Sequence, residues 1–432
     1  MTRQLLAILL TAGTAVPAAA QQEFPATLTA WAALPAATFT APPEDAPAHH
    51  ARSGRFTGEG RTEELGAIRI EETGVTLPME GQPVQGFSGI RSLGEDRFLV
   101  LTDNGFGTKA NSADVLLMFH EVEVDWENAK VGQPETTFLS DPLRRVPFPI
   151  VNEATETRYL TGADFDLESI QPIGDGYWIG DEFGPWLIEV DGSGVVQQVV
   201  PTEVGGQTYL SPDNPAAATP NSGEPMPEEL MAMRSGGYEG MALGPDGTTL
   251  YPLLEKPVWD AAAGAPMQIG GTPVLSLFEF DTTGGGFAEE VCYYPLDDAG
   301  HAIGDFNMID ETRALVIERD GGQGTADFSD NPAEFKRIYL VDLDRTDEAG
   351  VLEKIAYIDL MDIRDPDGIG RGTTDGVFTF PFVTIEDVDR VDATTIVVAN
   401  DNNYPFSVGR EAGRADDNEF ILLDVADFLS AE

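Results

Sequence analysis

Apolar and polar residues alternate with a period of two in short runs along most of the chain, and the runs are broken by Gly, Asp and Pro. That spacing predicts half-buried strands rather than helices. Strands are expected over 97–102, 116–124, 177–180, 275–281, 314–318, 337–343, 354–360, 395–399 and 419–425. Five stretches share one plan: GFSGIRSLGEDRFLVLTDNG (86–105), LESIQPIGDGYWIGDEFG (167–184), YEGMALGPDGTTLYPLLEKP (238–257), IGDFNMIDETRALVIERDGG (303–322) and IEDVDRVDATTIVVANDNN (385–403). In each, a polar or acidic residue sits in a first strand, a tight turn follows, and a second apolar strand ends in another acidic residue. The leading residues Ser88, Glu168, Glu239, Asp305 and Glu386 are 80, 71, 66 and 81 positions apart.

A third strand and usually a fourth follow each hairpin, as in VLSLFEFD then EEVCYYPLD. Repeated four-stranded antiparallel units predict an all-β fold, a β-propeller of five or six blades. The spacing exceeds the roughly 40 to 50 residues of compact blades, so loops are expected to be inserted at 141–163 and 201–235. The last unit lacks an evident fourth strand, and LGAIRIEE (65–72) is expected to supply it and close the ring.

The ends divide the chain further. Arg3, an apolar run from Leu5 and the small residues Ala18, Ala19 and Ala20 have the layout of a secretory signal over 1–20, cleaved near Ala20. Residues 21–55, rich in Ala and Pro, read as a leader wrapping the outside, and 56–432 as a single propeller domain. Cys292 is the one cysteine, so no internal disulfide can form. A periplasmic or secreted product is expected. Acidic residues outnumber basic ones 74 to 25, a formal net charge of −49. Phosphate backbones and anionic lipids demand the opposite sign, which argues against nucleic acid and membrane as partners. The pattern specifies no oligomeric state.

In a propeller the first strands line a central channel. Glu168, Glu239, Asp305 and Glu386 would converge there, with Asp103, Asp181, Glu182, Glu255, Glu318 and Asp401 from the second-strand ends at the same mouth. Carboxylates so crowded raise one another's pKa unless cations neutralise them. Calcium, with its flexible shell of oxygen ligands, is the expected cofactor. Scarce basic residues lie beside these acids: Arg91, Lys109, Lys256 and Arg319. Together with Tyr404 they form the expected binding set for a small anionic ester, phosphate esters being the obvious class. Glu239 or Glu168 is the candidate general base, and His301 is the one histidine expected near the mouth. GFSGI matches a nucleophile elbow only in part, because Ile90 takes the final Gly position. Zinc spacings, phosphate-cradling loops and dinucleotide fingerprints are missing from the sequence.

These residues resemble the phytase-like family, whose description is "esterase-like activity of phytase". The resemblance rests on GQPVQGFSGI, TDNGFGTKANSAD, DFDLESI with GDEFGPWLIEVD, YEGMAL with TLYPLLEKP, IGDFN with VIERDGGQG, and VANDNNYPFS, and runs from about residue 50 to the end. It implies an exported propeller with esterase or phosphoesterase activity and metal in the channel. Three readings stay open: calcium-dependent phosphoesterase, carboxylesterase or lactonase using the same metal, and a non-catalytic binding propeller stiffened by calcium.

Overall fold

The computed structural model describes residues 21–55, 67–217 and 230–432. The expected export signal lies outside the described residues, as do 56–66 and 218–229. Two strands come first, β1 (Gln22–Glu23) and β2 (Thr27–Leu34). Antiparallel sheets then follow one another along the chain. The first comprises β3 (Phe87–Gly94), β4 (Arg97–Thr102), β5 (Met118–Asp125) and β6 (Glu135–Phe138). The second comprises β7 (Leu167–Ile173), β8 (Gly176–Asp181), β9 (Trp186–Asp191) and β10 (Val196–Pro201). The third has β11 (Tyr238–Leu243), β12 (Thr249–Leu254), β13 (Thr272–Leu277) and β14 (Cys292–Pro295). The fourth has β15 (Ala302–Met308), β16 (Arg313–Arg319), β17 (Lys336–Thr346) and β18 (Leu352–Asp359). In the fifth, β19 (Asp387–Arg390), β20 (Thr395–Ala399) and β21 (Asn418–Asp424) pair in order.

The fourth strand of that last sheet is β2, antiparallel to β21 from Thr27↔Asp424 to Leu34↔Asn418. This corrects the expectation for 65–72: Ile68 and Arg69 pair instead with Leu77 and Thr76. It also makes part of the expected leader a structural strand. TLTAWAAL is poor in the β-branched residues that mark strands, yet Leu28, Ala32 and Leu34 are buried. The third sheet also departs from expectation, because the strand expected over 275–281 is broken between Leu277 and Phe280. Pro252 stands opposite this break and donates no N–H, so one ladder bond is lost; the Phe278 N–H still reaches the Pro252 carbonyl at 2.9 Å.

The first strands contact one another in a closed circuit, β3 to β7, β11, β15, β19 and back to β3. Between consecutive sheets lies a separate apolar core, because alternate residues of each strand face opposite neighbours. Leu99 and Leu101 pack toward the second sheet, whereas Phe98 and Val100 pack toward the fifth. Further cores join sheets two to three, three to four and four to five. The arrangement is propeller-like and nearly all β. Among the described residues helix is limited to α1 (Ala426–Leu429) and a 3-10 turn at Ala48–Ala51.

Candidate functional site

A β-bulge recurs where the first strands reach the mouth of the channel. In β7 the register passes from Leu167↔Asp181 to Ser169↔Gly180, leaving Glu168 as the extra residue. In β11 it passes from Tyr238↔Leu254 to Gly240↔Leu253, leaving Glu239. β3 and β15 shift at the corresponding places. A bulge re-aims a side chain that a regular strand would send into a core, which is how a carboxylate sits within an apolar run. Small residues at the bulges let first strands approach closely: a Cβ on Gly304 would lie 2.0 Å from the Ile385 carbonyl.

By register, the residues at the bulge position are Ser88, Glu168, Glu239, Gly304 and Glu386, and those that follow the second-strand residue facing the start of the bulge are Asp103, Glu182, Glu255, Arg319 and Asp401. The structure gathers most of them around one pocket of about 150 Å³, lined by Asp103, Asp166, Glu168, Glu182, Glu239, Glu255, Glu386 and Asp401 together with Lys256 and Arg319. Arg319 Nη2 lies 2.7 Å from Glu386, 3.6 Å from Glu255 and 3.7 Å from Glu239. Lys256 Nζ is 2.9 Å from Glu255 and also donates to the Ser235 carbonyl. The Ser88 hydroxyl donates to Glu386 at 3.1 Å.

Eight carboxylates face two cations here, and their pKa values move accordingly. Burial pushes Glu168, Glu182, Glu239 and Asp103 well above the carboxylate range, and neighbouring carboxylates push them further. Burial takes Asp166 to about 6 and Asp401 to about 8. For Glu386 burial also raises the pKa, while Arg319 pulls it back. Three overlapping triads, Asp166/Glu168/Glu182, Glu168/Glu239/Glu386 and Glu182/Glu239/Glu255, bring one oxygen from each member within 4.8 Å of the others. Glu182 Oε1 and Glu239 Oε1 are buried without a hydrogen-bond partner. An all-oxygen donor set with unsatisfied buried carboxylate oxygens fits a hard divalent cation.

Several expected site residues lie elsewhere. Asp181 faces away from the pocket and accepts the N–H groups of Asp166 at 2.8 Å and Gly184 at 2.7 Å, clamping the turn. Asp305 falls one residue past the bulge position and accepts the N–H groups of Phe306 and Val388, tying β15 to β19. Glu318 points between the third and fourth sheets, where it accepts Tyr294 Oη, His301 Nδ1 and Lys354 Nζ at 2.8, 2.8 and 2.6 Å. His301 is thereby held outside the pocket lining, stacked near Phe335. Arg91 belongs to a polar plug on the first strands, bonded to Asn307 and 3.0 Å from Asp389, with Gln171 bonded to the same Asn307. Lys109 donates to the Asp213 carbonyl at 3.1 Å over the Phe183 ring. Tyr404 is packed in an apolar cluster with Leu77, Met79 and Phe106. The residue missed by sequence reasoning is Asp166. Its signal was the alternation of Asp164, Asp166 and Glu168, which places side chains on one strand face, although Asp164 turns out to cap the Thr161 turn.

A family model described as "Phytase-like: Esterase-like activity of phytase" matches residues 82–404. No curated protein matches the chain. Among solved structures, a luciferin-regenerating enzyme is 10% identical, covering 79% of this chain and 94% of its own, with a TM-score of 0.32. A Bacteroides fragilis protein provisionally assigned as a 6-phosphogluconolactonase is 13% identical over 87% and 99%, with a TM-score of 0.31. Its Bacteroides uniformis counterpart is 11% identical over 85% and 94%, with a TM-score of 0.30. Likenesses this slight carry no argument about chemistry. The family match spans all five hairpins and the whole carboxylate pocket, and the chain belongs to the phytase-like family.

Proposed function

We propose that this protein hydrolyses a phosphate ester in the carboxylate pocket, with calcium as its cation. The reading counts five blades and has the protein act after export to the periplasm or medium. The observation that carries it is the pairing of unsatisfied buried oxygens on Glu182 and Glu239 with Arg319 and Lys256 in one lining. Such a pocket has donors for a hard cation and, beside them, donors for an anion. The cation, when bound, supplies Lewis-acid polarisation of the ester. Arg319 and Lys256 hold the anionic group and offset charge developing on it. Glu239, whose Oε1 accepts no hydrogen bond and lies 3.7 Å from Arg319 Nη2, would take the proton from the attacking water.

The test is phosphate release from phytate, glycerophosphate and nitrophenyl phosphate mono- and diesters, in calcium and in chelator. Release that requires calcium is expected, and Glu239→Gln should lower kcat by about 10²- to 10⁴-fold. No phosphate release under either condition would overturn the reading. The family description names an esterase-like activity, so the second reading is a carboxylic ester or lactone hydrolase at the same pocket. Turnover of phenyl acetate or a lactone without phosphate release would select it. His301, bonded to Glu318 and outside the pocket lining, has no part in the reading proposed here.

A further inference from the structure

Register places Arg319 where the second and third sheets place Glu182 and Glu255, each one residue after the second-strand residue that pairs immediately before the bulge. The same sheet carries Gly304, with no side chain, where others carry Glu168 and Glu239. The fourth sheet thus contributes a guanidinium and no carboxylate to the lining. That guanidinium leans on Glu386, Glu255 and Glu239. Two of the three carboxylate triads, Glu168/Glu239/Glu386 and Glu182/Glu239/Glu255, each contain two of its partners. Asp166/Glu168/Glu182 contains none of them. In that triad Glu182, only 5% exposed, has a buried oxygen without a hydrogen-bond partner, and one oxygen from each of Asp166 and Glu168 lies within 4.8 Å of one of its own.

We infer that the pocket is a mixed-cation centre: one divalent ion seated on Asp166, Glu168 and Glu182, with Arg319 built in as the cation of the opposite half. The inference rests on the reading that the pocket holds a cation, and deepens it by fixing how many and where. A guanidinium is planar and permanently charged, so it offsets part of the charge of its three carboxylates at any metal concentration. A second divalent ion on that side would have to displace it against charge repulsion. Among the described residues the half without arginine has no ion pair of its own, since Lys256 Nζ is held on Glu255 at 2.9 Å, so its carboxylates are the ones that an ion must satisfy.

The experiment counts tightly bound calcium by calorimetry and equilibrium dialysis on the whole mature protein, in high salt to suppress diffuse binding to the acidic surface, with terbium luminescence as a second probe. The wild type should bind one tight ion. Glu182→Gln should lose it, Glu255→Gln should keep it, Arg319→Lys should keep one, and Arg319→Gln should bind two. Two tight ions in the wild type overturn the inference, as does equal loss in Glu182→Gln and Glu255→Gln, or an unchanged count in folded Arg319→Gln. Should Arg319→Gln fail to fold, the Glu182 and Glu255 pair decides the question. One tight ion without phosphate release sinks the phosphoesterase reading and leaves this one standing. No calcium bound by the wild type sinks both.

Discussion

Asp181 and Glu182 adjoin in sequence and face opposite ways, because the strand sends successive side chains to opposite sides. Asp181 gives both oxygens to backbone N–H groups; Glu182 leaves one oxygen bare in the pocket. Their substitutions should therefore differ in kind. Asp181→Ala strands two buried N–H groups and should lower stability by about 2–4 kcal/mol, equally with and without calcium. Glu182→Gln removes a crowded charge, so it should raise the melting temperature in chelator and abolish the further rise expected on adding calcium under the proposed function. Thermal melts of both variants in each condition check this, and a calcium-dependent loss for Asp181→Ala would return that residue to the metal site.

Strand β2 joins the chain's two ends within one sheet, and that pairing covers an edge that β21 would otherwise present to solvent. Leu28 lies in the core between the fourth and fifth sheets, and Ala32 and Leu34 lie in the core between the fifth and first. Leu28→Ala should cost about 2–5 kcal/mol by transfer and cavity terms, read from denaturant unfolding. Deletion of residues 21–34 should give an aggregating product in size-exclusion chromatography. A soluble monomer with an unchanged unfolding transition would show that β2 is dispensable. The bulges work at the same level: their small residues allow first strands to touch, and carboxylates such as Asp305 and Asp387 then bridge adjacent strands through backbone N–H groups.

Across the molecule, acid should act through histidines buried in neutral form. Burial lowers His120 to about 3 and His50 to about 4, the latter with help from His49. Both folded values lie below the unfolded value near 6.5, so their contribution is complete above pH 6.5. It is lost as pH falls, at about 1.4 kcal/mol per pH unit for each histidine, down to about pH 4 for His50 and about pH 3 for His120. His120 sits in β5 beside Phe87, bonded to Thr136 through Nδ1 with Nε2 unpaired. Urea unfolding at pH 4 to 7 should show His120→Gln with a slope shallower than wild type by about that amount. Parallel slopes would mean that His120 is charged in the fold.

The period-two pattern, the turn residues and the fivefold recurrence of an acid-bearing hairpin were enough to read an all-β, propeller-like chain and to pick out Asp103, Glu168, Glu182, Glu239, Glu255, Glu386, Asp401, Lys256 and Arg319, all of which line one pocket. Those features are local, set by φ/ψ preference and side-chain alternation, and so are written in neighbouring residues. Which acids turn inward was not legible in the same way. A single-residue bulge reverses the facing of a side chain, so Asp305 and Glu318 look equivalent to Glu239 and Glu255 in a string of letters yet end up in interstrand clamps. Ring closure by an alanine-rich strand depended on a partner nearly 400 residues away, and burial against that partner outweighs its weak strand propensity. The division of the pocket between Arg319 and an open carboxylate triad is likewise a matter of distances among four sheets, which only folding brings together.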